Sequence, residues 1–247
     1  MNIKKEKDST KREDQTDLLD LSREELNQLP AEVAPLPIQI IGKESSRADV
    51  ERACAELREG SPKVLGFDTE TKPAFKKGIY HEVALLQLSN QNTIVLVQLA
   101  HIQDKEILLP LSDLLRNRRI LKVGIAIADD AKSLYKDHGL LTNKMLDLQH
   151  LALASGIGAQ SLSKIYALLF GKRISKGQQL SDWEHVKLTE AQQSYAALDA
   201  YAGLQIYLKL RKNESKQMWQ DTPKELEKPK RKRRRPTQKK TEAGKFN

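Results

Sequence analysis

Asp68 and Glu70 stand one residue apart at the end of the apolar run Val64-Leu65-Gly66-Phe67, within the stretch VLGFDTETKP. Gly60-Ser61-Pro62 before the run and Pro73 after it mark a buried strand. Side chains alternate across a strand, so both carboxylates project to one face, roughly 7 Å apart along the backbone. Like charges so placed repel, and burial adds to the cost. A divalent cation held by oxygen ligands would compensate them. A strand ending in a solvated turn is the simpler reading of these ten residues alone.

Further acids stand where elements begin or pack. The apolar run LKVGIAI (121–127) leads into Asp129-Asp130, where a helix is predicted to start. The dipole and free N–H groups of a helix N-terminus account for one acid of that pair, but not for two. Thr189-Glu190-Ala191-Gln192 fits a capping box, and the helix it opens carries Tyr195, Asp199, Ala202, Ile206 and Leu210 on one stripe. Asp199 is then a carboxylate on a face that otherwise packs, a position that demands a partner. A backbone N–H or an arginine would serve, and Tyr195, one turn earlier, sets a hydroxyl beside whatever Asp199 binds. Taken together, Asp68, Glu70, Asp130 and Asp199 can converge on one end of a sheet. Four such oxygen donors suit Mg²⁺ or Mn²⁺. Two of these ions about 3.5–4 Å apart can activate water and stabilise the leaving oxygen in phosphodiester hydrolysis.

The elements needed to position these groups are legible in outline. Ile38 to Ile41 reads as the first strand, and Ser46 with Asp49 caps a helix whose stripe is Val50, Ala53, Cys54 and Leu57. Strands are expected at 64–70, 83–88, 93–99 and 121–127, with a hairpin through Asn90-Gln91-Asn92. Helices are expected around Leu111, Leu114 and Leu115, then over 129–137, 145–154, 161–170 and 189–211. Strands first and helices interleaved later predict an α/β domain, a mixed sheet flanked by helices, over 38–212. Residues 1–37 read as a flexible N-terminal arm in which Leu18, Leu19, Leu21, Leu26 and Leu29 form at most a short helix. Residues 213–247 read as a disordered basic tail.

Charge is concentrated in that tail. Of 42 Lys and Arg residues, nine lie in KPKRKRRRPTQKK (228–240), leaving a remainder that balances the 33 acids. Lys230, Arg231, Lys232, Arg233, Arg234 and Arg235 form its densest part, a sequence-blind grip on nucleic acid or, more plainly, a solubilising extension. No apolar run approaches a membrane span, and the N-terminal residues lack the apolar centre of a secretory signal. With Cys54 the only cysteine, no intrachain disulfide is possible. A cytoplasmic protein, nucleoid-associated or not, is expected, or a nuclear one in a eukaryote, where KRKRRRP could act as an address. His81-Glu82 lacks the second ligand of a zinc protease, and Ser161-Leu-Ser-Lys164 lacks the companion motifs of a serine–lysine nucleophile.

The motifs FDTE (67–70), VALLQLS (83–89), VGIAIADD (123–130) and YAALD (195–199), in this order, resemble the 3′–5′ exonucleases that carry Asp-Glu-Asp-Asp and a tyrosine. The likeness is strongest to the Werner-type exonuclease domains and their stand-alone bacterial relatives, and covers roughly 38–211. LSDW (180–183) before LTEAQ (188–192) also looks like the family's approach to its last helix. The resemblance implies a ribonuclease H-like fold and metal-binding roles for Asp68, Glu70, Asp130 and Asp199. Asp130 is preferred to Asp129 because the similar segments place Gly six residues before the acid and Leu four after it, as Gly124 and Leu134 stand here. Asp129 remains a candidate supporting group. Tyr195 matches the tyrosine subclass; the histidine subclass would want His near 194, where this chain has Ser194. By the same resemblance Asp68 would bridge two ions, Glu70 and Asp199 would hold the nucleophile side, and Asp130 would support the second site. Tyr195 would orient the attacking water, releasing nucleoside 5′-monophosphates.

The resemblance tilts the expected substrate toward DNA, with ribonuclease D-like RNA trimming as the rival. A module that keeps the fold and binds nucleic acid without catalysis is the alternative from another class. Retention of mutually repelling acids argues against it.

Overall fold

The computed structural model describes residues 18–60 and 63–222. The chain begins there with α1 (Arg23–Gln28), β1 (Ile38–Ile41) and α2 (Arg47–Leu57), followed by β2 (Val64–Thr71), β3 (Val83–Ser89) and β4 (Ile94–Val97). Then come α3 (Leu109–Arg116), β5 (Leu121–Gly124), α4 (Ile127–His138), β6 (Met145–Asp147), α5 (Leu148–Leu153), α6 (Leu162–Phe170), α7 (Glu190–Leu210) and β7 (Trp219–Gln220). The strands form one seven-stranded mixed sheet in the order β1-β4-β3-β2-β5-β6-β7. β2 lies at its centre, antiparallel to β3 and parallel to β5. This is the expected mixed sheet flanked by helices.

Alternation along the strands divides the core into two faces. Phe67, Leu86, Leu88 and Val95 pack with Val50 and Leu57 of α2, Leu111 and Leu114 of α3, and Leu134 of α4. On the other face Val64, Val123 and Leu146 meet α5, α6 and α7 through Leu148, Ile165, Ala202 and Leu204. α7 comes unusually close to the sheet. A Cβ on Gly66 would fall 1.8 Å from the Ala200 carbonyl oxygen, so only glycine admits the helix at that depth. Trp183 is 1% exposed and packs with Leu85, Leu96, Ala196 and Ala197, which makes it a core side chain. No described helix is long and apolar enough to cross a membrane.

Local expectations hold where side-chain chemistry sets the backbone. Ser46 and Asp49 form a reciprocal capping box, as do Thr189 and Gln192. The hairpin is closed by Asn90, whose Oδ1 accepts from the backbone N–H groups of Asn92 (2.8 Å) and Thr93 (2.9 Å).

Other expectations require correction. The strand expected over 121–127, β5, ends at Gly124, because Ala126 adopts a left-handed conformation (φ 50°) and turns the chain directly into α4. Residues 145–154 are not one helix. Met145–Asp147 pair with β5 as a strand, and Asp147 then caps α5 by accepting from Gln149 N–H at 2.9 Å. The part of the N-terminal arm within the described residues is docked. Leu19 pairs with Gly156 and Gly158, and Glu32 with Arg173, through backbone hydrogen bonds. The Tyr166 hydroxyl donates to Glu32 at 2.9 Å. The C-terminal boundary moves as well, since Trp219–Gln220 add an antiparallel strand to β6 and Thr222 bonds to Thr142. The basic run, with Lys230, Arg231, Lys232, Arg233, Arg234 and Arg235, lies outside the described residues.

Candidate active site

Three elements meet at one place. β2 carries Asp68 and Glu70, the first turn of α4 carries Asp130, and α7 carries Tyr195 and Asp199. All five side chains line a single cavity of about 350 Å³, together with Ser161, Lys176 and Gln179. Asp68, Glu70 and Asp199 each present a carboxylate oxygen within 4.8 Å of the others. Asp130 joins them indirectly. Strand alternation turns Thr69 away from its two acidic neighbours, and its hydroxyl donates to Asp130 at 2.7 Å. The carboxylates thus approach the end of β2 from both faces of the sheet.

Two close approaches make this possible. Gly66 lets α7 settle onto β2, which brings Asp199 to Asp68. At the end of β5, a Cβ on Gly124 would lie 2.4 Å from the Phe67 carbonyl, so glycine there lets the turn before α4 pass close to β2.

The electrostatics follow from crowding acids in a recess. Burial, then Asp199, Asp130 and Glu70, push the Asp68 carboxyl well above the ordinary carboxylate range. Burial and the charges of Asp199 and Asp130 raise Glu70 to about 9. Burial raises Asp199 to about 7, against the opposing pull of Tyr195 and Lys176. Asp130 rises to about 6, again chiefly through burial, with the Thr69 hydrogen bond acting in the other direction. Burial and the neighbouring carboxylates drive the Tyr195 phenol upward, which keeps it a neutral donor.

Lys176 is the one cation lining the cavity, too little to balance four acids, and the compact group of Asp68, Glu70 and Asp199 contains neither cysteine nor histidine. An all-oxygen, carboxylate-rich donor set fits a hard divalent cation. Asp68, Glu70 and Asp199 form the compact ligand set, with Asp130 tethered beside them.

Asp129 does not enter the cavity. Its side chain is 80% exposed and ion-paired with Lys132 at 2.7 Å, although its charge still raises Asp130. Sequence reasoning missed Thr69, Lys176 and Gln87. Thr69 could have been found from parity, since alternation directs it toward the helix that follows β5. Gln87 pairs with Asp68 in the β2–β3 register, is fully buried, and has neither amide atom partnered among the described residues. Lys176 sits in a connecting segment with no periodicity to betray it.

Comparison with known proteins gives the family. A family profile described as 3′-5′ exonuclease matches residues 43–214. The chain is 36% identical over 162 residues to the "Exonuclease 3'-5' domain-containing protein 2" of Drosophila melanogaster, covering 64% of this chain and 27% of that protein. It is 34% identical over 159 residues to the mouse "Bifunctional 3'-5' exonuclease/ATP-dependent helicase WRN", covering 62% of this chain and 11% of that protein. The chain therefore spans about a quarter or less of these two relatives. Escherichia coli RNase D superposes with a TM-score of 0.61 at 25% identity, over 72% of this chain and 45% of that one. With the profile covering most of its length and the acids gathered at the end of β2, the chain belongs to the 3′-5′ exonuclease family, a family of metal-dependent nucleases with the ribonuclease H-like fold.

Proposed function

We propose that this protein hydrolyses nucleic acid from the 3′ end, with DNA as the favoured substrate and Mg²⁺ or Mn²⁺, as a pair of ions, as cofactor. The observation that carries the proposal is the approach of Asp68, Glu70 and Asp199 to within 4.8 Å, with Asp130 and Tyr195 on the same cavity. Bound divalent ions supply charge neutralisation and Lewis acidity in such chemistry. Asp68, Glu70 and Asp199 would hold them, and Asp130 would support the second ion. Tyr195, one helical turn from Asp199 and neutral at working pH, orients the attacking water. Lys176 at the cavity wall faces the phosphodiester that the acids alone would repel.

The preference for DNA rests on the greater identity to proteins named as 3′-5′ exonucleases, one of them joined to a helicase in its own name. The likeness to RNase D favours RNA as the second reading. The test is a time course on 5′-labelled DNA and RNA strands of one sequence, in Mg²⁺, in Mn²⁺ and in chelator. A ladder shortening from the 3′ end in metal, faster on DNA, is expected. A faster RNA ladder would overturn the substrate preference, and no metal-dependent shortening of either strand would overturn the activity.

A further inference from the structure

A second cavity, of about 470 Å³, opens beside the acid pocket where α1 lies against the start of α6. The two share Ser161, Ile174 and Lys176, so they adjoin. Every charged side chain lining the second cavity is basic: Arg23, Lys164, Arg173 and Lys176. Lys164 is compensated by Asp20 at 3.0 Å, and Arg173 uses its Nε on the Leu29 carbonyl at 3.0 Å. Neither Arg23 nor Lys176 has a salt-bridge partner among the described residues. Asp20 answers one of these four charges and leaves the recess net positive, which favours an anion there. Next to a pocket that repels anions with four carboxylates, the placement is informative.

Arg23 and Asn27, on this cavity's wall, belong to the segment before residue 43 and so lie outside the region matched by the family profile. The segment is held in place by its own contacts. Backbone pairs join Leu19 to Gly156 and Gly158 and Glu32 to Arg173, and Lys172 adds an ion pair to Glu32 at 3.0 Å. The arm thus forms one wall of a basic cleft that adjoins the catalytic cavity.

We propose that this cleft is a phosphate-binding subsite for the substrate strand, holding backbone phosphates of the nucleotides that precede the 3′-terminal one in the acid pocket. The subsite takes its substrate class from the nuclease reading above. Arginine suits the task because its planar fork can engage two phosphate oxygens at once. Lys176, common to both cavities, sits where the strand passes from one to the other. An anchor upstream of the scissile bond adds binding energy shared by ground and transition states, without any contact to the bases.

The test uses the full chain carrying Arg23→Glu, a change that leaves folding intact because an acid is favoured in the first turn of a helix. Binding of a 5′-fluorescein 12-nucleotide single strand is followed by anisotropy in Ca²⁺ over a range of salt. Cleavage in Mg²⁺ is followed on that strand and on a dinucleotide whose one phosphate is the scissile one. Arg23→Glu is expected to weaken binding of the long strand by roughly 10-fold and to lower the magnitude of the salt slope by about one. KM for the long strand should rise in proportion with kcat unchanged, and dinucleotide cleavage should not move. Arg23→Lys should recover most of the affinity. Unchanged affinity and salt slope in Arg23→Glu would overturn the subsite, as would an equal loss on the dinucleotide. A wild-type protein that binds the long strand in an Arg23-dependent way yet cleaves nothing would overturn the nuclease reading and support the cleft as a nucleic-acid site.

Discussion

The hydroxyl of Thr69 donates to the carboxylate of Asp130 at 2.7 Å, joining the central strand to the first turn of α4 across the edge of the acid pocket. That bond works against burial, which holds Asp130 at about 6. Removing it in Thr69→Val should push Asp130 higher by about one to two pK units, the range expected for a hydrogen bond to a charged group. In the metal-free protein the titration profile of the Asp130 carboxyl, followed by NMR, should move to higher pH by a similar interval, and Thr69→Ser should restore it. A profile unchanged in Thr69→Val would show that the bond does not tune the site.

Stability of the metal-free protein should fall as pH rises. Asp199 sits at about 7 and Glu70 at about 9 in the folded chain, whereas carboxyls in an unfolded chain titrate near 4. Between about pH 4 and 9 the folded state therefore binds more protons than the unfolded state, and its stability declines with pH. Asp199→Asn removes one such ionisation. Its melting temperature without metal should exceed wild type by roughly 3 °C or more at pH 8 and match it near pH 4. Added Mg²⁺ should raise the wild-type melting temperature more at pH 8 than at pH 5. Scanning fluorimetry across pH, with and without metal, reads both effects.

Gly66→Ala should be severe. The added methyl would meet the Ala200 carbonyl at 1.8 Å, and the obstructing atom is helix backbone rather than a flexible side chain. A loss of about 3 kcal/mol or more is expected in denaturant unfolding, since α7 must lift from β2. Metal-dependent cleavage should fall with it, because lifting α7 carries Asp199 away from Asp68.

Ala126→Gly should act in the opposite direction on stability. Ala126 holds a left-handed backbone at φ 50°, which costs a residue with a Cβ roughly 1–2 kcal/mol. Glycine removes that strain and returns part of the gain as unfolded-state entropy. A net rise in melting temperature of about 2 °C is expected.

How far the site could be read in the chain depends on what carries the signal. Asp68 and Glu70 were legible because strand alternation alone puts them on one face. Asp199 was legible because a helical stripe makes a lone carboxylate conspicuous. The choice of Asp130 over Asp129 came from register with similar segments, and the exposed, Lys132-paired Asp129 agrees with it. β6 was missed because Met145-Leu146-Asp147 continues smoothly into the helical pattern of LQHLAL, and three residues are too few to show a period of two. The docking of residues 18–37 was missed for a different reason. Its attachment combines backbone pairs at Leu19 and Glu32 with isolated polar contacts of Asp20 and Glu32 to α6 and Lys172, and neither leaves a periodic mark on the side-chain pattern. Lys176 and Arg23 become informative only once folding sets them around shared cavities.

The most direct test of the central claim, that carboxylates from β2 and α7 hold divalent ions together, is the binding of Mn²⁺ followed by electron paramagnetic resonance at pH 8. Wild type should take up more than one ion per chain. Asp68→Asn/Asp199→Asn, folded by circular dichroism, should lose that uptake by at least about 100-fold in affinity, two ligands being removed. Equal Mn²⁺ binding by the wild type and the double variant would contradict the account.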